Sequence, residues 1–426
     1  MESAKILDIN TFELIPPILQ WADTFSYVYY SQPRNVEKYP YGGFKPTLIV
    51  SNNSISIDQE SVFDSLSKLI DQSDQAKLYG FLTYELQEET HGIHNPKPST
   101  IAWPKAGFFE AEYHIHLEND CIVIEGIDAQ KACNSLKKFL RSTITDISQK
   151  EPIQLKSNTS KEAYINTVNA LRGHIEEGDV YEINYCMNYE AEVGQFNPIT
   201  TYLKLSEKSP TPFNVLLKWE DKYALCASPE RFLKLQNNKL ISQPIKGTAQ
   251  RASTPALDEE QKNALRTSEK ERAENMMIVD LVRNDLTLSS KTGSIQVEEI
   301  FGIYSFEYVH QMISTITSQL KEGLNPVASI KNAFPMGSMT GAPKKSALEL
   351  IKRYETHQRT LFSGSIGHMN TQEFDFNVVI RSLFYDQQKK VINYQVGSAI
   401  TYDSDPEKEY EECQLKAQAI IDILKD

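Results

Sequence analysis

Glu230 and Lys246 are the residues of this 426-residue chain whose types and spacing best suit chemistry. Ser228-Pro229-Glu230-Arg231-Phe232 precedes two short strand-like runs, Phe232–Leu235 and Lys239–Gln243. The pair Asn237-Asn238 joins them, and Pro244-Ile245-Lys246-Gly247-Thr248 follows. A tight hairpin over these runs sets Glu230 and Lys246 at one end of two paired strands. A carboxyl group and an amine side by side can act as proton donor and nucleophile, and Gly247 lets backbone approach a ligand closely. On spacing alone an exposed ion pair is the commoner reading, because surface Lys–Glu pairs are frequent and weak.

Two further acidic pairs stand at i,i+3 spacing on separate helical patterns, Glu271/Glu274 and Glu409/Glu412. Residues three apart share a helix face. Two such helices side by side can hold a hard divalent cation, and magnesium uses few protein carboxylates together with water and an anionic ligand. Solvated acidic faces have the same spacing. Lys+Arg number 44 and Asp+Glu 57, a net charge of −13. So acidic a chain is ill suited to nucleic acid, and an anionic ligand must be met by local cations or a metal.

The elements that position these residues can be read in order. Thr47–Val50, Lys77–Tyr84 and Cys121–Gly126 read as strands and Gln130–Arg141 as a helix. An internal boundary is expected in the polar stretch Gln149–Ser157, dividing residues 1–150 from 151–426. Thr159 and Glu162 suggest a capping box opening a helix that Gly178 ends. Asp179–Val193 alternates strictly, with Tyr181, Ile183, Tyr185, Met187 and Tyr189 on one face and Glu182, Asn184, Cys186, Asn188 and Glu190 on the other. Phe213–Trp219 and Tyr223–Ser228 continue the sheet. One helix is expected over Asp258–Leu286, and a strand followed by a helix carrying His310 over Glu298–Leu320. Gly364–His368 reads as a turn, and Asp405-Pro406 as the start of a final helix.

Five scattered cysteines without C-x-x-C spacing read as reduced thiols of a cytoplasmic protein. No apolar run is long enough for a membrane span, and the first residues lack the pattern of a signal peptide.

The motifs together resemble the chorismate-utilising enzymes. The matching stretches are Gly178–Asn184, Ser228–Phe232, Pro244–Thr248, Arg272–Leu286, Gly337–Lys344, Gly364–Gly367, Ile380-Arg381 and Asp403–Lys416. The likeness is strong from about residue 155 onward and weak before 150, where Gly80–Leu86 matches best. Within the family, Pro-Ile-Lys-Gly-Thr is the form of the aminodeoxychorismate synthases; anthranilate synthases carry Ala in place of the lysine.

The resemblance implies an α+β fold in which two facing antiparallel sheets enclose the site and helices pack outside. It implies conversion of chorismate and ammonia to 4-amino-4-deoxychorismate, with Lys246 as nucleophile and Glu230 as acid. Magnesium would be held by Glu274 and Glu412, with Glu271 and Glu409 bridging through water. Gly247, Thr248, His310, Ser338, Arg381, Gly397 and Ser398 would line the substrate. The lysine is expected to be neutral, its pKa lowered by burial and by a nearby cation.

No Gly-x-Cys-x-Gly turn is present, so a separate glutamine amidotransferase subunit is the expected ammonia source. No clear Leu-Leu-Glu-Ser motif occurs before residue 150, which implies little feedback control. Three positions depart from the family: Glu182 for Gln, Phe362 for Tyr and Ala399 for Gly. The alternatives are anthranilate synthase component I and a non-catalytic chorismate-binding subunit.

Overall fold

A computed structural model describes residues 2–7, 13–34, 39–72, 76–118, 120–141 and 152–425. Of the boundary expected in 149–157, residues 149–151 lie outside these. Among the described residues, the strands form two antiparallel sheets. One has twelve strands and crosses the chain in the order 2–7, 121–126, 113–117, 47–51, 27–31, 213–219, 222–228, 382–386, 391–400, 182–192 and 341–342, with 156–157 also paired to 182–192. The other has nine, ordered 245–250, 309–319, 239–243, 231–236, 374–377, 365–369, 78–82 and 106–110, with 296–305 paired to 309–319. Strands from the first 150 residues therefore lie within both sheets.

Period-two alternation sorts the side chains into two cores. Tyr27, Tyr29, Val215 and Leu217 point from the large sheet into a core shared with Phe81, Phe108, Leu233, Ile313 and Phe376 of the smaller sheet. Val28, Tyr30 and Leu216 point the other way, into a second core with Ile18, Leu136, Leu171, Tyr202 and Ala417 of the covering helices. The strand Glu182–Glu192 follows the same rule. Ile183, Tyr185, Met187 and Tyr189 enter the helix-covered core, while Glu182, Asn184, Cys186 and Asn188 face the other way, and these too are buried. The expected polar face is thus an interior one. Tyr181 falls before the strand and is 66% exposed.

The hairpin forms as expected. Asn237 and Asn238 adopt φ of 53° and 58°, the left-handed pair of a two-residue turn, between Arg231–Gln236 and Lys239–Gln243. The final helix spans Pro406–Lys425, with Asp405 accepting from the Glu407 N–H.

Four local expectations are corrected. The helical run after Asp258 is two helices, Pro255–Thr267 and Glu269–Thr287, because the Ser268 side chain caps the second by accepting from the Glu271 N–H. His310 lies on a strand, Val309–Gln319, where Ile313, Thr315, Ile316 and Thr317 favour extended backbone. Ser160 rather than Thr159 caps the helix Lys161–Glu176. Ser365–Met369 is a strand, in which Gly367 permits close packing: a Cβ there would lie 2.1 Å from the Asp375 carbonyl. Among the described residues no helix is long and apolar enough to cross a membrane.

A buried ion pair fixes the loop at 337–341 to the large sheet. The Arg359 guanidinium grips both carboxylate oxygens of Glu355 at 2.6 and 3.0 Å. It also donates to the carbonyls of Met339 (2.5 Å) and Asn184 (2.8 Å), and Glu355 accepts from the Cys186 N–H. Removing one partner of a fully buried pair leaves an uncompensated charge, so Arg359→Met should lower unfolding free energy by about 3–5 kcal/mol, measured by urea denaturation. A loss below about 1 kcal/mol would show that the loop is held by other contacts.

Candidate active site

The two sheets each bring part of one constellation. Glu230 ends the approach to the strand Arg231–Gln236 and is 4% exposed. Ser338 and the Ile245 N–H lie beside its carboxyl and favour its charged form. Burial pushes its pKa up to about 7, although Ser338, Lys246, Ile245 and Arg381 oppose that rise. At neutral pH about half of such a carboxyl is protonated, which is the form a general acid needs.

Lys246 lies on the strand Ile245–Gln250, whose pairing with Val309–Gln319 shifts register between Ile245 and Thr248. Gly247 takes φ of +92° in this irregularity, and a Cβ there would lie 3.0 Å from a Glu271 oxygen and from Leu265. The positive φ favours glycine there, and a larger residue would also press on those two side chains. The bend sends Lys246 into the interior, where its Nζ donates to Glu182 Oε1 at 2.5 Å. Burial alone would lower the lysine pKa, but Glu182, Glu274 and Glu230 outweigh it and the net displacement is upward. These carboxylates therefore favour the ammonium form of Lys246, where the sequence had suggested a neutral amine.

The two acidic pairs come near each other around Lys270. The helix Glu269–Thr287 packs on the smaller sheet's strands at 245–250 and 309–319, and the helix Pro406–Lys425 packs on 391–400 of the larger. Lys270 Nζ lies between them, 3.8 Å from Glu274 and 3.9 Å from Glu409. Burial raises the pKa of Glu274 to about 7 and raises Glu271 and Glu409. For Glu412, burial is overcome by Lys416, 2.6 Å away, and the net displacement is downward. Carboxylates so crowded suit a hard divalent cation. No three of the four bring ligand oxygens within 4.8 Å of one another, so together they offer at most one or two carboxylates to one ion.

The remaining expected residues fall into two groups. Ser338, Arg381, Gly397 and Ser398 join the constellation. Arg381 has φ of +51°, and among the described residues its guanidinium makes no hydrogen bond or ion pair. Gly397 and Ser398 lie on the strand Val391–Ile400, paired with Cys186 and Tyr185. A Cβ at Gly397 would lie 2.6 Å from Asn184 Oδ1. The Ser398 hydroxyl bonds to that of Tyr164 and to Glu409. Thr248 is exposed. His310 has both ring nitrogens engaged, with Ser305 at 2.8 Å and Asp258 at 3.1 Å, so it ties the helix Pro255–Thr267 to its strand.

Sequence reasoning missed Lys270 and the Lys344–Asp285 pair at 2.7 Å, which braces the helix carrying Glu274, and gave Lys416 no role. Phe362 is buried in the core between the sheets, and Ala399 pairs with Asn184.

The Glu230 shift fixes a stability signature. Its pKa is about 7 in the folded chain against an ordinary 4.5, so the folded state holds the proton more tightly. That contribution is complete below pH 4.5 and is lost as pH rises through about 7. The full gap is about 3 kcal/mol. Glu230→Gln should therefore gain stability over the parent between pH 5 and pH 8, by about 2–3 kcal/mol. Thermal unfolding at both pH values measures it, and an equal effect at both would refute the shift.

Comparison with known proteins gives this constellation its context. The profile of the family described as chorismate binding enzyme matches residues 25–422. Aminodeoxychorismate synthase of Arabidopsis thaliana chloroplasts is 42% identical over 275 residues, 63% of this chain and 30% of that protein. Aminodeoxychorismate synthase component 1 of Escherichia coli is 36% identical over 274 residues, 63% of this chain and 59% of that one. Anthranilate synthase component 1 of Aquifex aeolicus is 32% identical over 287 residues, 67% and 58%. The chain thus spans between about a third and three fifths of the length of these curated relatives. Among solved structures, anthranilate synthase component I of Streptococcus pneumoniae superposes with a TM-score of 0.75 at 23% identity, covering 99% of this chain and 92% of that one. The Escherichia coli isochorismate synthase MenF gives 0.75 at 15%, covering 99% and 94%. The α+β fold of two antiparallel sheets with covering helices is theirs, and with a profile match over nearly its whole length the chain belongs to the chorismate binding enzyme family.

Proposed function

We propose that the chain aminates chorismate to 4-amino-4-deoxychorismate, the activity of an aminodeoxychorismate synthase component I. The observation that carries this reading is Lys246, an amine projecting into the carboxylate-lined interior from the bulged strand beside Glu230. In the anthranilate synthases that position lacks an amine by the resemblance above.

The reaction removes a ring hydroxyl and places an amine at the same carbon. Hydroxide leaves poorly, and Glu230 donates the proton that lets it depart as water. Lys246 bonds to the ring two carbons away with an allylic shift of the double bond. Ammonia then attacks the original carbon and expels the lysine. Two easier displacements replace one hard one. Arg381, with no partner of its own among the described residues, suits the enolpyruvyl carboxylate as a two-pronged donor. The bulged backbone at Gly247 and the Ser338 hydroxyl complete the lining. Glu274 and Glu412 would hold magnesium, which would supply positive charge for the ring carboxylate, with Glu271 and Glu409 reaching it through water.

Ammonia comes from a separate glutamine amidotransferase chain or from solution. A cytoplasmic setting agrees with five cysteines that are all free thiols.

Incubation with chorismate, magnesium and ammonium salt should give aminodeoxychorismate, identified by mass and by conversion with the lyase that forms 4-aminobenzoate. Lys246→Ala should abolish it, and Glu230→Gln should lower kcat about 10²–10⁴-fold. Glutamine should replace ammonium when a cognate amidotransferase is added. Anthranilate from the parent chain would overturn the reading.

A further inference from the structure

Lys246 rests as an ammonium, yet only a free amine can bond to carbon. The structure places one proton acceptor directly on it. Glu182 is 2% exposed, Lys246 Nζ donates to its Oε1 at 2.5 Å, and no other side-chain ion pair of Lys246 occurs among the described residues. The second carboxylate oxygen, Oε2, is buried and has no hydrogen-bond partner among the described residues. That oxygen is an unused acceptor beside the lysine, open to a proton. The backbone holds Glu182 in place: its neighbour Ile183 pairs with Gly341 and Ile400, and Glu182 itself pairs with Ala342.

We propose that Glu182 is the proton acceptor and donor for Lys246 during the amination, an inference that rests on the function proposed above. In the first step the Lys246 ammonium passes a proton to the Glu182 carboxylate, leaving a free amine and a neutral acid. The amine lone pair forms the nitrogen–carbon bond, the ring double bond shifts, and the carbon–oxygen bond breaks. The oxygen leaves as water with the proton of Glu230, and the adduct is a secondary ammonium. In the second step ammonia bonds to the original carbon, the double bond shifts back and Lys246 departs as a neutral amine. It recovers its proton from Glu182, and the product ammonium returns one to Glu230. Chorismate and ammonia give the amine and water, and every enzyme group regains its starting form.

Glu274 and Glu271 from the helix Glu269–Thr287, Glu412 from the final helix and Glu230 also act on Lys246 through their charges. Among the described residues, only Glu182 lies within hydrogen-bond distance of its nitrogen.

Glu182→Gln keeps a hydrogen-bond acceptor for Lys246 but cannot take its proton. The variant is compared with the parent in two measurements. The first is the rate at which trinitrobenzenesulfonate labels Lys246 at pH 8, followed by peptide mass. The second is ammonium-dependent turnover across pH 6–10. The proposal expects labelling at least about tenfold faster, since the lysine loses its anionic partner. It also expects kcat about 10²-fold lower near neutrality with the KM for chorismate unchanged, and activity recovering as alkaline pH removes the lysine proton without help. Parent-like turnover in Glu182→Gln would overturn the proton-transfer role and leave the amination reading standing. Equal labelling in both chains would overturn the charged pair. If the parent chain itself forms no aminodeoxychorismate, both readings fall, and the parent arm shows it before any variant is compared.

Discussion

Five carboxylates act on one part-buried lysine. Glu182, Glu230 and Glu274 dominate the surroundings of Lys246, and Glu271 and Glu412 add to them. A folded interior tolerates such crowding only when protons or cations offset the negative charge. The molecule uses both. Glu230 and Glu274 have pKa values pushed up to about 7, while Lys270 and Lys416 lie against the helix glutamates. The arrangement stores proton-donating capacity beside an amine and leaves a place where a divalent cation is favoured.

The scaffold makes this crowding possible by dividing it between two sheets. Glu182, Gly397 and Ser398 come from the twelve-stranded sheet; Glu230 and Lys246 come from the nine-stranded one. Each sheet carries one of the two glutamate-bearing helices. The site therefore exists only when the sheets are packed together. The shared aromatic core fixes that relation.

Much of this was legible in the sequence because it is local. The Asn-Asn hairpin, the alternation after Asp179, the Asp-Pro start of the last helix and the two i,i+3 acidic pairs depend on neighbours within a few residues. The motif order carried the fold. What escaped is long-range. Nothing near Glu182 reveals that it meets a lysine 64 residues away, so the protonation state expected for Lys246 was inverted. Lys270 and Lys416 look like ordinary surface lysines until both helices are in place. His310 was misplaced because the run around it mixes apolar and polar residues at spacing that a helix also allows, and pairing with two strands decides it. The helix after Asp258 was drawn unbroken because Ser268 is an unremarkable residue within a charged helical run, and only its cap bond reveals the break.

The central claim is that Lys246 becomes covalently bonded to substrate. It is tested most directly by mixing the chain with chorismate and magnesium without ammonia, quenching, and measuring intact mass followed by peptide mapping. The account predicts a species heavier by chorismate less one water, located on Lys246 and discharged by ammonium. No added mass, or an adduct on another residue that ammonium leaves in place, would contradict it.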